Sequence, residues 1–228
     1  MITMPRGFKA KLEAGGVDSG QPVQVWTAIA GNGRYDTACF GLTEADRIQD
    51  DRYVVFFNQT AAPEGGISLI EETPQGSTFQ ANLGSLPAFI QKLAFTAAVD
   101  GPVSMRDIQS GEVRLMQNGR TAFTLAFTGA DFQNQKAIIT IEIYRKSGSW
   151  RVAAVADGFN FSGGLDKLMA HFGVEVRDSE SAPAPRSAGS AQALPETPAQ
   201  AQPDQAARQA HAAGKNAEGF DRADDDWV

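Results

Sequence analysis

The stretch AIITIEIYRKSGSWRVAAVA, Ala137 to Ala156, decides the reading of the fold. Its first part is rich in isoleucine, and its last part opens on Trp150 and is rich in valine and alanine. Between them lies Lys146-Ser147-Gly148-Ser149, a run with turn chemistry. Two β-branched, aromatic runs joined by a short glycine-bearing turn read as a β-hairpin. The same pattern repeats toward the N-terminus. Candidate strands are VQVWTAI (Val23–Ile29), TACFGL (Thr37–Leu42), RYVVFF (Arg52–Phe57), GISLIE (Gly66–Glu71), LAFTAAV (Leu93–Val99), EVRLMQ (Glu112–Gln117) and TAFTLAF (Thr121–Phe127). GNGR, PEGG and QNGR fall between them, with Asn118-Gly119 at the centre of a tight hairpin. About nine short strands at near-regular spacing argue for an all-β fold: a two-sheet antiparallel β-sandwich with a few short helices. Helices are expected from Ser85 in SLPAFIQK, from Ser104 in SMRDIQSG and from Ser162 in SGGLDKLMAHFG. Ser85 is a good N-cap, with Pro87 early in that helix. The last helix places Leu165, Leu168, Met169 and Phe172 on one face and stops at Gly173.

Composition divides the chain. From Ser179 onward there are 14 Ala and 5 Pro and few large apolar residues before Trp227-Val228. Such a segment cannot bury enough apolar surface to offset its ordering entropy. The expected organisation is a globular domain over 1–178, a disordered Ala/Pro-rich linker over 179–218 and an acidic-aromatic terminal motif over 219–228. The net charge is −7. Neither the domain nor the tail carries a basic stripe in sequence, which argues against nucleic-acid binding. No apolar run approaches the ~20 residues of a membrane span, and the N-terminus has no apolar signal core. With Cys39 alone, an intramolecular disulfide is impossible. A cytoplasmic protein is expected.

Catalytic groups are sparse. His211 lies in the tail, and His171 sits near the C-terminus of a predicted helix, where the dipole favours a cation. Cys39 sits within an apolar strand, the setting of an inert small hydrophobe. There is no G-x-S-x-G elbow, Walker loop or H-E-x-x-H helix. DGFNFSGG (Asp157–Gly164) is glycine-rich but reads as a strand-to-helix turn. Zinc would need more nitrogen and sulfur ligands than the chain holds, so a bound metal would be Ca²⁺ or Mg²⁺ on oxygens. The candidate carboxylates are Asp36, Asp50-Asp51, Glu64 and Glu71-Glu72, the last pair closing the strand GISLI and followed by an expected loop, TPQGSTFQAN, with no further acid. Residue type alone favours solvated strand ends for them. The terminal GFDRADDDWV offers Phe220 and Trp227 as aromatic anchors around Asp224, Asp225 and Asp226. It reads as a partner-binding motif or as an acidic solubilising end.

Several segments together resemble the tellurium-resistance TerD family of bacterial stress proteins. IEIYRKSGSWRVAAVADGFNFSGGLDKLMAHFGVEV (Ile141–Val176) is similar to the family's closing pattern. RYVVFFNQTAAPEGGISL (Arg52–Leu69) and LGSLPAFIQKLAFTAAV (Leu83–Val99) are similar to two earlier segments. The resemblance covers roughly residues 5 to 177. It implies a two-sheet sandwich, calcium binding and a link to tellurite and other stress resistance. The family's calcium ligands come from an Asp-x-Asp-x-Ser run and from a loop ending in Gly-Asp-Asp-Glu. In this chain Arg34 stands at the first Asp position, Asp36 at the second and Ala38 at the Ser. The second segment offers only Glu71 and Glu72. The resemblance therefore implies a degenerate site of Asp36, Glu71 and Glu72, with weak or no calcium binding. Arg34 is positioned to pair with Asp36 in place of an ion. The expected function is a non-enzymatic interaction or scaffold module, with other proteins of the tellurium-resistance or stress system as partners. The alternatives are a calcium-dependent binding module and an enzyme with an unfamiliar site.

Overall fold

The computed structural model describes residues 1–159 and 164–173. The expectations for the linker 179–218 and the terminal motif 219–228, with Phe220, Asp224, Asp225, Asp226 and Trp227, lie outside the described residues.

Among the described residues the strands are β1 (Ile2–Thr3), β2 (Lys9–Lys11), β3 (Val23–Gly31), β4 (Tyr35–Leu42), β5 (Val54–Val55), β6 (Ile67–Thr73), β7 (Gly76–Ala81), β8 (Lys92–Val99), β9 (Ile108–Gln117), β10 (Arg120–Phe127), β11 (Ala137–Lys146) and β12 (Ser149–Phe159), and an α-helix, α1, spans Leu165–His171. They form two six-stranded sheets, ordered β1-β10-β9-β3-β7-β6 and β2-β12-β11-β8-β4-β5. All pairings are antiparallel except β1 with β10. This is the expected two-sheet sandwich. The decisive hairpin is present, Lys146 facing Ser149 across the turn. Its two central residues, Ser147 and Gly148, have φ of 51° and 74°. Asn118 and Gly119 adopt 52° and 72° in the β9–β10 turn. Both pairs suit the right-handed twist of a two-residue hairpin.

Strand alternation builds the core. Val23 and Val25, Val113 and Leu115, Phe79 and Phe95, and Ile141 and Ile143 are all buried in one cluster between the sheets. A second cluster covers the far face of the β4–β8–β11 sheet. There Leu165, Leu168 and Phe172 of the α1 segment pack on Ala38, Phe40, Leu42, Ala94 and Ala98, with Met169 partly buried against them. The predicted helical face is thus the docked one, and Gly173 (φ 98°) ends the segment.

Four local expectations are corrected. The helix from Ser85 does not form: a 3₁₀ turn covers Leu83–Ser85. Leu86, the residue before Pro87, is extended at ψ 134°, because proline crowds an α conformation in its predecessor. The helix from Ser104 is one 3₁₀ turn, Met105–Asp107, closed by a reciprocal Ser104–Asp107 capping box. Ile108 then pairs with Gly31, and long-range pairing with β3 overrides local capping. The RYVVFF strand shrinks to Val54–Val55, since Asp50 caps a 3₁₀ turn at Asp51–Tyr53. The loop expected after Glu72 is strand β7, with Ser77, Phe79 and Ala81 buried. Among the described residues, no helix is long and apolar enough to cross a membrane.

Candidate functional site

At one end of the sandwich the inward-facing positions change chemistry. On β3 the series Val23, Val25 continues as Thr27, and on β7 Phe79 is preceded by Ser77. On β4, stepping back from Cys39 gives Thr37 and then Tyr35. Apolar side chains thus give way to hydroxyls from three strands. Together with Ile29, Gly33 and the β6–β7 turn they wall a cleft of about 490 Å³. The Tyr35 hydroxyl and Thr37 Oγ1 are buried there with no hydrogen-bond partner. Burial raises the Tyr35 phenol above its usual value, and the nearby Asp107 carboxylate adds to the effect. A buried polar atom without a partner costs about 1–3 kcal/mol, so this mouth is suited to water or to a polar guest. The signal was in the sequence as hydroxyls interrupting the inward apolar phase of VQVWT, TAC and STFQA.

The proposed carboxylate ligands sit around this end without gathering. Asp36 and Glu72 both contribute to the cleft wall. Alternation, however, places Asp36 on the same face of β4 as Ala38 and Phe40, away from Tyr35 and Thr37. Its Oδ1 accepts from Arg34 Nε at 3.2 Å, with side-chain exposures of 23% and 81%. This is the pairing expected from the sequence. Glu71 and Glu72 are consecutive on β6 and so face opposite ways. Glu71 Oε2 accepts from the Thr78 hydroxyl at 3.1 Å. Glu64 lies in a turn, at φ 59°. Asp50 caps the backbone of Arg52 and binds its guanidinium; that side-chain hydrogen bond holds its carboxyl below the usual range. Among the described residues, no three His, Cys, Asp or Glu side chains stand close enough to share a metal ion. Calcium takes 6–8 oxygens, several of them charged. The donors around Asp36 do not fit that requirement.

The nucleophile candidates are separated as well. Cys39 is fully buried in the inter-sheet core, and desolvation pushes its thiol well above the usual value. His171 lies in the last turn of α1, on the opposite face of that sheet. Its ring packs 4.7 Å from that of Phe159 and 5.2 Å from that of Phe172. The sheet stands between thiol and imidazole, so the two make no catalytic pair. His211 lies outside the described residues.

Comparison with known proteins adds a family context. The family model described as TerD domain matches residues 1–172. Tellurium resistance protein TerA of an Alcaligenes species is 32% identical over 132 residues, 58% of this chain and 37% of that protein. The chain therefore spans little more than a third of that relative's length. Chemical-damaging agent resistance protein B of Clostridium acetobutylicum is 25% identical over 140 residues, 57% of this chain and 99% of its own. A crystal structure of a homologue of telluride resistance protein (TerD) from Streptomyces coelicolor A3(2) superposes with a TM-score of 0.52 at 17% identity, covering 65% of this chain and 95% of that one. At that identity the match bears on the fold alone.

Proposed function

Because this chain belongs to the TerD domain family, we propose that it is a non-enzymatic interaction module of a bacterial tellurium- and chemical-damage-resistance system. Relatives named for resistance to tellurium and to chemical damage support this reading. The observation that carries it is the Arg34–Asp36 pair at the mouth of the sandwich. A cation occupies the place where the family pattern puts a carboxylate ligand, so this copy of the fold acts through its surfaces. The fully buried, poorly ionised Cys39 agrees with a role outside nucleophilic catalysis. The partners are other proteins of the same resistance system, met in the cytoplasm.

A second reading rests on the cleft. Its partnerless Tyr35 and Thr37 hydroxyls, with Glu72 in the wall, would suit a calcium-dependent binding module with a reduced acidic site. One experiment separates the two. The tagged full chain is purified from tellurite-challenged cells with and without a calcium chelator. Capture of the same resistance proteins in both samples supports the interaction module. Capture that disappears with chelator supports the calcium-dependent reading, and no specific capture in either removes both.

A further inference from the structure

A second constellation lies on the outer face of the sheet that contains β4, at its β2–β12–β11 edge. Lys11 stands directly opposite Arg151, and Arg151 opposite Tyr144. Ser149 faces Lys146, and Lys9 faces Ala153 one step along. Val152, Ala154, Ile141 and Ile143 fill the inter-sheet core, so alternation turns this set away from it. The side chains wall a groove of about 290 Å³, completed by Ser147, whose lining holds no carboxylate.

Three features set the groove apart. First, Lys9, Lys11, Lys146 and Arg151 belong to none of the ion pairs among the described residues. The acid nearest in register, Glu142 on β11, is already held 3.2 Å from Lys92, which also binds Asp46 at 2.7 Å. Second, Lys11 and Arg151 are like charges directly opposite on antiparallel strands. That arrangement destabilises a sheet, and violations of local rules concentrate at functional sites. Third, Arg151 Nε is buried with no hydrogen-bond partner. A guanidinium normally engages such donors. The chain as a whole is acidic, at −7, so the cluster is a local concentration.

We propose that this groove is a binding site for a phosphoryl-bearing small molecule. Four cations call for a ligand with more than one negative charge, which a single carboxylate does not supply. Arginine's fork suits the oxygens of a phosphoryl group. The lysines add charge from both flanks, and the hydroxyls of Ser147, Ser149 and Tyr144 add neutral donors. The ligand would neutralise the Lys11–Arg151 repulsion, so binding and stability are coupled.

Calorimetry of the full chain with sodium pyrophosphate at constant ionic strength reads the site. The comparison variants are Lys11→Gln/Arg151→Gln, which removes both charges while leaving polar side chains, and Lys167→Gln at an exposed position of α1, which removes one charge away from the groove, as the control. Saturable binding is expected, weakened at least about tenfold in the double variant, which loses charge-assisted hydrogen bonds, and unchanged in the control. A parallel arm uses phosphatidylcholine vesicles with and without a phosphatidylinositol bisphosphate. Tighter binding to the phosphorylated vesicles, lost in the double variant, assigns the phosphoryl group to a lipid headgroup; pyrophosphate binding without vesicle binding assigns it to a soluble compound. Circular dichroism checks folding, and Lys146→Gln at the exposed end of β11 carries the same expectation if the double variant fails to fold. No saturable binding to either probe, or equal binding by wild type and variants, overturns the proposal.

Discussion

Replacing Phe172 by alanine tests whether α1 is an integral cover of its sheet. Seven residues are too few for a helix to persist alone in water, so docking must hold it. The Phe172 ring is 3% exposed and its centroid lies 5.1 Å from that of Phe40. The backbone carbonyl of Phe172 accepts from Ile48 N–H at 2.8 Å, tying the helix end to the loop after β4. Truncation of a buried phenylalanine costs about 3–5 kcal/mol, a large share of the roughly 5–15 kcal/mol that stabilises a domain. For a domain of this size each kcal/mol moves the melting midpoint by about 2–4 °C, so Phe172→Ala is expected to lower Tm by roughly 6–20 °C. Differential scanning calorimetry measures it, with Ile70→Ala as control. Ile70 is 48% exposed, and its loss is expected to stay within about 0.5 kcal/mol. A Phe172→Ala midpoint within about 2 °C of wild type would refute the docking argument, because a truly buried ring cannot be removed so cheaply.

Three further outcomes follow from the same geometry. Arg34→Ala removes an ion pair whose cation is 81% exposed; chemical denaturation should show a loss below about 1 kcal/mol, and a larger loss would mean that the pair organises the mouth. Cys39 should resist a thiol-reactive dye in the native state and react fully after denaturation, because its thiol is buried and poorly ionised; fast native labelling would contradict the core assignment. Glu112 is held below the usual carboxylate range, chiefly by its side-chain hydrogen bond with Arg114. Its contribution should be fully present above about pH 4.3, the ordinary glutamate value, and fade as pH falls through the lower folded-state value. Unfolding curves of wild type and Glu112→Gln should therefore converge in acid, and a pH-independent difference would contradict this.

What the sequence disclosed depended on how local the information was. The β11–β12 hairpin and the α1 stripe were legible because turn residues and periodicity lie within a few positions of one another. Strand β7 was missed because its buried set includes Ser77, and TPQGSTFQAN reads as loop until Thr27 and Ser77 are seen to pair. The Ser104 helix failed for the converse reason. Its capping box is real, yet Ile108 is claimed by β3 across a long separation. At the site, the Arg34–Asp36 contact could be anticipated because the two residues are two apart in sequence, Arg34 just before β4 and Asp36 within it. The hydroxyl mouth and the Lys11–Arg151 groove depend on strand register between distant segments. Counting charges by segment missed a cationic groove assembled from β2, β11 and β12.

Calcium calorimetry of the purified chain asks whether Arg34 has taken the place of a carboxylate ligand beside Asp36. No saturable heat is expected at micromolar calcium, the melting midpoint should stay unchanged, and Arg34→Asp should gain measurable affinity. Micromolar or tighter binding by the wild-type chain, lost in Asp36→Ala, would contradict that replacement.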